Sequence, residues 1–390
     1  MLGKFHICIV TGTRAEYHLL YPLIVALNGE DIFEVKLAVT GSHLSDKYGN
    51  TYQDILADGI SIDYRIPILE ENDDESGINR AMSNAILGFD EVFSREKPDL
   101  VILLGDRYEL LSVAIVCMNY KVPIAHLHGG EITKGANDES IRHSISKMSY
   151  LHFTSCELYR KRVIQLGESP SRVFNVGAIG LENIRKVRRM TLPELQESVK
   201  FDLKGEFGVF TFHPVTLENK VTKHSVAEIF KALDNFPDLK IIFTKSNADA
   251  GGLLINEMID KYVEENPDRC VSVYSLGMRR YLSALSFAKV IIGNSSSGII
   301  ETPSFGVPTV NIGDRQKGRI RADNIIDCEH DETSIQEAIN HALSDEFQRI
   351  AHQTVSPYGD GYVTDKILAV LYKFFEGPGP ELKKEFYDIL

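Results

Sequence analysis

Val290-Ile291-Ile292-Gly293-Asn294-Ser295-Ser296-Ser297-Gly298-Ile299-Ile300-Glu301 is the stretch that decides the fold. An apolar run of strand type passes into a small polar loop, and apolar residues then resume in a helix start. That succession is the strand, loop and helix unit of a parallel α/β sheet. The loop also has a chemical reading. Backbone N–H groups and the positive end of a helix dipole favour an anion, the Ser295 and Ser296 hydroxyls add donors, and glycine lets the chain approach closely. An ordinary capped turn is the alternative, because serine is a favoured N-cap residue. The loop alone leaves both readings open.

Outward from this stretch, short apolar runs alternate with helical patterns to both ends of the chain. In the second half, the patterns predict strands over 209–212, 239–244, 271–274, 290–292 and 309–312, separated by helices over 221–236, 253–265 and 278–288. Helices over 332–343 and 364–375 follow. In the first half, strands are predicted over 6–13, 33–40, 99–104, 122–127, 150–155 and 173–176, with helices over 14–27, 77–95 and 139–148. The charged stretch 185–200, which contains Pro193 and no strong strand, reads as a linker. The expected fold class is α/β, with two doubly wound, Rossmann-like domains whose ligand loops face a shared cleft. Their boundaries fall at 1–184 and 185–358, and 359–390 forms a C-terminal helix and tail.

Composition agrees with two domains and narrows the partners. At 390 residues the chain exceeds the size at which one core usually keeps growing. The hydrophobic fraction of 43% and charged fraction of 25% are those of a globular protein. No run reaches the length of a membrane span, and the N-terminus lacks a signal-peptide pattern, so a cytoplasmic protein without membrane attachment is expected. Five well-separated cysteines, with no C-x-x-C pair, read as reduced core thiols. A net charge of −13 argues against nucleic acid as partner. An anionic ligand would therefore need local positive groups.

Several predicted strands end in residues that could supply them. Thr11-Gly12-Thr13-Arg14-Ala15-Glu16-Tyr17-His18 brings Arg14, a candidate phosphate clamp, and His18 to the cleft end of the first strand. A solvated Arg is the bland alternative. Gly105-Asp106-Arg107-Tyr108-Glu109 does the same for Asp106 and Arg107, with a structural ion pair as the alternative. Ala125-His126-Leu127-His128-Gly129-Gly130-Glu131, followed by Asp138-Glu139-Ser140-Ile141-Arg142-His143, is the densest titratable cluster. Strand alternation would put His126 and His128 on one face. Their spacing lacks a companion ligand for a metal, so acid–base work is favoured over metal binding, with structural hydrogen bonding as the third reading. In the second half His213 and the 245–249 segment end strands, and Arg315 is the preferred phosphate partner. Glu301 is a candidate for accepting ribose hydroxyls, or else a capping carboxylate.

Taken in order, these motifs, together with Gly41-Ser42-His43-Leu44, Tyr48-Gly49-Asn50-Thr51, His213-Pro214 and Gly313-Asp314-Arg315-Gln316, resemble the UDP-N-acetylglucosamine 2-epimerase family across nearly the whole chain. The resemblance is specifically to its hydrolysing branch, which serves bacterial sialic acid synthesis. It implies a fold like that of GT-B glycosyltransferases, a C-terminal helix crossing back to the first domain, no metal and no cofactor, and a homodimer or homotetramer. It further implies that Arg14, Arg107, His213, Asn247, Ser295, Ser296, Glu301 and Arg315 bind uridine diphosphate, with His18 and His43 as further substrate contacts. Asp106 and Asp138 map onto the acid–base carboxylates. His128 stands where animal and non-hydrolysing relatives carry a catalytic Glu, and Glu131 follows three residues later, so either takes the second proton. Arg142 and His213 complete the catalytic set.

The implied reaction converts UDP-N-acetylglucosamine and water to N-acetylmannosamine and UDP, through elimination of UDP to a 2-acetamidoglucal and its hydration. A close alternative is the same reaction on a UDP- or GDP-2,4-diacetamido-2,4,6-trideoxy sugar for legionaminic acid synthesis. A GT-B glycosyltransferase is the alternative from another class.

Overall fold

The structure is a computed structural model that describes residues 4–70, 74–132, 137–213, 219–245, 252–377 and 381–389. The chain forms two compact units, Met1–Asn183 with Tyr358–Leu390, and Ile184–Pro357.

The first unit is built on β1 (Phe5–Thr11), α1 (Arg14–Asn28), β2 (Phe33–Thr40), α2 (Tyr52–Ala57), β3 (Tyr64–Ile66), α3 (Glu75–Arg95), β4 (Leu100–Leu104), α4 (Tyr108–Tyr120), β5 (Ile124–Leu127), α5 (Asn137–Met148), β6 (Leu151–Thr154), α6 (Glu157–Gln165) and β7 (Val173–Asn175). Its seven strands are parallel, in the order β3-β2-β1-β4-β5-β6-β7. Strand β4 is buried along its whole length, because a central parallel strand carries helices on both faces and has no polar side to show.

After α7 (Gly180–Lys186), the second unit contains α8 (Leu192–Val199), β8 (Phe207–Thr211), α9 (Asn219–Asp234), β9 (Lys240–Thr244), α10 (Gly252–Glu265), β10 (Cys270–Val273), α11 (Gly277–Leu285), β11 (Val290–Gly293), α12 (Ser297–Ile300), β12 (Thr309–Ile312), β13 (Ile325–Cys328), α13 (Glu332–Leu343) and α14 (Asp345–Gln353). Its six strands are also parallel, ordered β10-β9-β8-β11-β12-β13. Helix α15 (Val363–Glu376) belongs to the first unit. There Val363, Ile367 and Leu371 share a core with Ile7, Leu20, Leu23 and Phe33.

In each sheet the strand order reverses once, between β1 and β4 and between β8 and β11. Parallel α/β sheets open a crevice at such a point, because connections on its two sides run to opposite faces. The loops after these four strands begin with Gly12-Thr13, Gly105-Asp106-Arg107, Phe212-His213 and Asn294-Ser295.

The two-sheet α/β class stands, and several details differ from the sequence reading; the short helices α2, α6, α7 and α14 were not among the predicted elements. The 185–200 stretch is not a linker. Helix α8 starts with a Thr191–Glu194 capping box and buries Leu195 and Val199 against Leu203 and Phe207. Helix α4 went unpredicted because it is apolar on nearly all sides, so no stripe of helical period stands out. Strands β3 and β13 are edge strands of three and four residues, too short for a pattern. Helix α12 has only four residues, so the serine loop opens onto a single turn and little macrodipole. Among the described residues no helix is long and apolar enough to cross a membrane.

Candidate functional site

In the first unit the chemistry gathers at the C-terminal ends of β4 and β5. The Arg142 guanidinium, on α5, donates through Nη1 to the Glu131 carbonyl at 2.8 Å and through Nη2 to the Asp106 carboxylate. Arg142 is 4% exposed and Asp106 24%, so Asp106 is the member of this pair that meets solvent. Glu131 Oε1 accepts from the Ser155 hydroxyl at 2.7 Å and lies 3.2 Å from His128 Nδ1. His128 Nε2 accepts the Ile179 amide at 3.2 Å. An acceptor at Nε2 puts the ring proton on Nδ1, pointing at Glu131. Asp106, Arg142, Glu131 and His128 therefore form one continuous network, although they are dispersed over 37 positions of the sequence.

His126 and His128 do not share a strand face. Strand β5 ends at Leu127, and His128 takes a left-handed backbone with φ of 64°, which breaks the alternation. His126 is fully buried, and burial drives its imidazole down to about 3. Its Nε2 donates to the Gly105 carbonyl at 2.7 Å, and Nδ1 accepts from Ser146 at 3.1 Å. It is a neutral tie between the end of β4 and α5. Asp138 is exposed in the first turn of α5, four residues before Arg142 and hence on the same helix face. Among the described residues, no group of three or more His, Cys, Asp or Glu side chains is arranged to hold a metal ion.

The other predicted contacts of this unit divide by exposure. Arg14 is the first residue of α1, which begins with a Thr13–Glu16 capping box, and it is exposed; His18 lies one turn on and is half-buried. Arg107 is the N-cap of α4 and is partly exposed. His43 is different. It has no exposed surface, and its ring nitrogens pair with Thr11 Oγ1 at 3.1 Å and Thr51 Oγ1 at 2.8 Å. Burial lowers its imidazole to about 4. His43 thereby ties the end of β1 to the loop after β2.

In the second unit Asn294 organises the loop. Its side chain clamps the His213 backbone from both sides, accepting from N at 2.8 Å and donating to O at 2.8 Å. Its own carbonyl accepts from Arg315 Nη1 at 3.1 Å and Gln316 Nε2 at 2.9 Å. The loops after β8, β11 and β12 are thereby locked together. Gly293 has φ of 136°, and a Cβ there would sit 1.9 Å from the Thr211 carbonyl oxygen, so only glycine fits. The Ser297 hydroxyl donates to Glu301 at 2.5 Å and also pairs with Tyr281. Burial pushes Glu301 up to about 7, and the Ser297 bond opposes that rise. Asn247 lies outside the described residues.

Sequence reasoning assigned no role to Glu16, Glu109, Ser146, Ser155 or Asn294. Glu16, Glu109 and Asn294 sit inside recognised motifs, and their burial was the missing signal.

The family model described as UDP-N-acetylglucosamine 2-epimerase matches residues 25–372. The GDP/UDP-N,N'-diacetylbacillosamine 2-epimerase (hydrolyzing) of Campylobacter jejuni is 44% identical, covering 89% of this chain and 90% of that one. The polysialic acid biosynthesis protein P7 of Escherichia coli is 38% identical, covering 98% and 97%. Among solved structures, the UDP-GlcNAc 2-epimerase from Neisseria meningitidis bound to UDP-GlcNAc superposes with a TM-score of 0.81 at 18% identity, over 95% of this chain and 100% of that one, a likeness of fold. With a family model spanning most of its length and full-length relatives well above 30% identity, the chain belongs to the UDP-N-acetylglucosamine 2-epimerase family.

Proposed function

We propose that this protein is a hydrolysing 2-epimerase of a nucleotide-sugar, and that its substrate is a UDP- or GDP-linked 2,4-diacetamido-2,4,6-trideoxy hexose. The observation that carries the reaction type is the Asp106–Arg142–Glu131–His128 network beside the strand-order reversal of the first sheet. The 44% identity to the Campylobacter enzyme favours the diacetamido sugar, reversing the order in which the motifs rank the two substrates. UDP-N-acetylglucosamine is the second reading, supported by the 38% identity to a polysialic acid biosynthesis protein.

Carbon 2 of an acetamido sugar has no carbonyl to acidify its proton, so proton loss must accompany departure of the nucleoside diphosphate from carbon 1. The C2–H electron pair becomes the C1=C2 bond of a glycal, and the C1–O pair leaves with the diphosphate. Water then adds its hydroxyl to carbon 1, and carbon 2 takes a proton on the opposite face. A carboxylate must remove one proton and a second acid supply the other. Asp106, held through one oxygen by Arg142, is assigned the first role. His128 engages Ile179 and Glu131 with its two ring nitrogens, so it is assigned to orient Glu131, which carries the second proton. Asp138 and His213 assist. Arg14, Arg107, Ser295, Ser296, Arg315 and Asn247 stabilise the leaving diphosphate, and Glu301 receives ribose hydroxyls.

Turnover in deuterated water should place deuterium at carbon 2 and release free nucleoside diphosphate without any acceptor sugar. Retention of the original hydrogen would exclude this mechanism, and a requirement for an acceptor would favour a glycosyltransferase. Higher kcat/KM on UDP-N-acetylglucosamine than on the diacetamido sugars would overturn the substrate assignment. Asp106→Asn should lose roughly 100-fold to 10,000-fold in turnover while still binding UDP.

A further inference from the structure

The three motifs T-G-T-R-A-E, G-S-H-L and G-D-R-Y-E meet around a single buried carboxylate. Glu109, in the first turn of α4, has no exposed surface, and its Oε1 accepts from Arg107 Nε at 2.6 Å. The pocket around it is walled by glycine. A Cβ on Gly12 would lie 2.5 Å from Glu109 Oε1, and one on Gly41 would lie 3.2 Å from it. Glu16 closes the same corner, accepting the Gly12 and Thr13 amides at 2.8 and 3.1 Å. Glu109 Oε2 is buried and has no hydrogen-bond partner among the described residues.

An acceptor left unsatisfied in the interior is a cost that folding normally avoids. Here it accompanies a gain in the placement of Arg107. An Arg side chain is long and rotamer-rich, and a ligand that grips it usually has to order it. Arg107 is held at Nε by the fully buried Glu109 carboxylate, and its guanidinium carbon lies 5.6 Å from the Tyr108 ring centroid. The Arg107 side chain is nevertheless 40% exposed. The buried end of the guanidinium is fixed, and its terminal Nη groups form the planar fork that suits paired phosphate oxygens.

We propose that Glu109 is a positioning residue that pre-aims Arg107 at the diphosphate of the substrate, with glycine at position 12 leaving room for its carboxylate. This rests on the reading that Arg107 binds a nucleotide-sugar, and it adds the group that makes that binding rigid.

The test uses UDP as probe, with calorimetric affinity and steady-state kinetics on the full chain. Glu109→Met should weaken UDP about tenfold, the factor that ordering one rotamer-rich side chain is worth. KM should rise similarly, with kcat changed far less. Glu109→Gln keeps a carbonyl acceptor for Nε and should recover part of the loss. In an Arg107→Met background, Glu109→Met should cost nothing further, whereas an additive loss would overturn the proposal. Unchanged UDP affinity in Glu109→Met would overturn it too. Should that variant not fold, the wild-type protein still decides. The Arg107 Nε–H resonance, identified by its loss in Arg107→Lys, should exchange slowly with solvent with and without UDP, and rapid exchange in either state refutes the held guanidinium. A wild-type protein that neither binds UDP nor turns over a nucleotide-sugar would instead refute the functional reading.

Discussion

Replacing Arg142 by Met removes a side chain that ties Asp106 to the Glu131 backbone. Arg142 is 4% exposed, so its charge is satisfied by the Asp106 carboxylate and the Glu131 carbonyl rather than by water. Removing one partner of a buried ion pair costs about 3–5 kcal/mol. Asp106 retains 24% exposure, so water can solvate part of the orphaned carboxylate, and the pair is placed near about 2–3 kcal/mol. Loss of the bond to the Glu131 carbonyl adds about 1 kcal/mol. For a unit of this size each kcal/mol lowers Tm by roughly 2–4 °C, so Arg142→Met should melt about 10 °C below the parent. Arg142→Lys keeps the charge without the fork and should fall between them. Because Asp106, the proposed base, loses its anchor and the Glu131 backbone loses its tie, solvent deuterium incorporation at carbon 2 should slow by at least about 100-fold in Arg142→Met. Thermal unfolding followed by circular dichroism and mass spectrometry of the product measure the two effects. A variant with parental Tm and parental deuterium incorporation would show that the pair holds nothing together.

Two further outcomes follow from carboxylates elsewhere whose surroundings shift their protonation. Glu301 is raised by burial to about 7 and opposed by Ser297, so Ser297→Ala should raise it further. If Glu301 accepts ribose hydroxyls as a carboxylate, UDP affinity increases as pH rises through this range, and the midpoint in Ser297→Ala moves to higher pH. Calorimetry between about pH 6 and about pH 9 reads the shift, and an unmoved midpoint removes Glu301 from the nucleotide site. Glu168 is 1% exposed and faces Lys147, Arg172 and, from the C-terminal segment, Lys384, which is 19% exposed. Burial by itself would raise its carboxyl, but hydrogen bonds from His152, Lys147 and Lys384 pull it down to about 2. A depressed carboxylate contributes stability above its unfolded value of 4.5 and loses it as pH falls toward about 2. Lys384→Met should cost about 2 kcal/mol at neutral pH, less than a fully broken buried pair because Lys147 and Arg172 persist, and should begin acid unfolding at higher pH than the parent. Superimposable acid-unfolding curves would show that Lys384 is not part of the Glu168 cluster.

Local sequence determined the alternation of strands and helices and the positions of the loops that carry the candidate site residues. An apolar run such as Leu100–Leu104, bounded by Asp99 and Gly105, reads as a strand buried on both faces, and the polar residues that interrupt such runs fall at strand ends. Asp106, Arg107, His213, Ser295 and Arg315 were legible for that reason. Helix α4 was not, since burial on all sides erases the helical period. The roles of the histidines also escaped local reasoning. His128 adopts a φ of 64°, which no strand alternation foretells, and it separates a residue facing Glu131 from His126, the buried tie to Gly105 and Ser146. Which carboxylate meets which cation was decided by tertiary structure alone. Asp106 and Arg142 are 36 positions apart, and the Glu109 carboxylate that accepts from Arg107 lies in space left open by Gly12, from another strand end. Side-chain charge and period are written residue by residue, whereas burial and partnership belong to the sheet that brings the strand ends together.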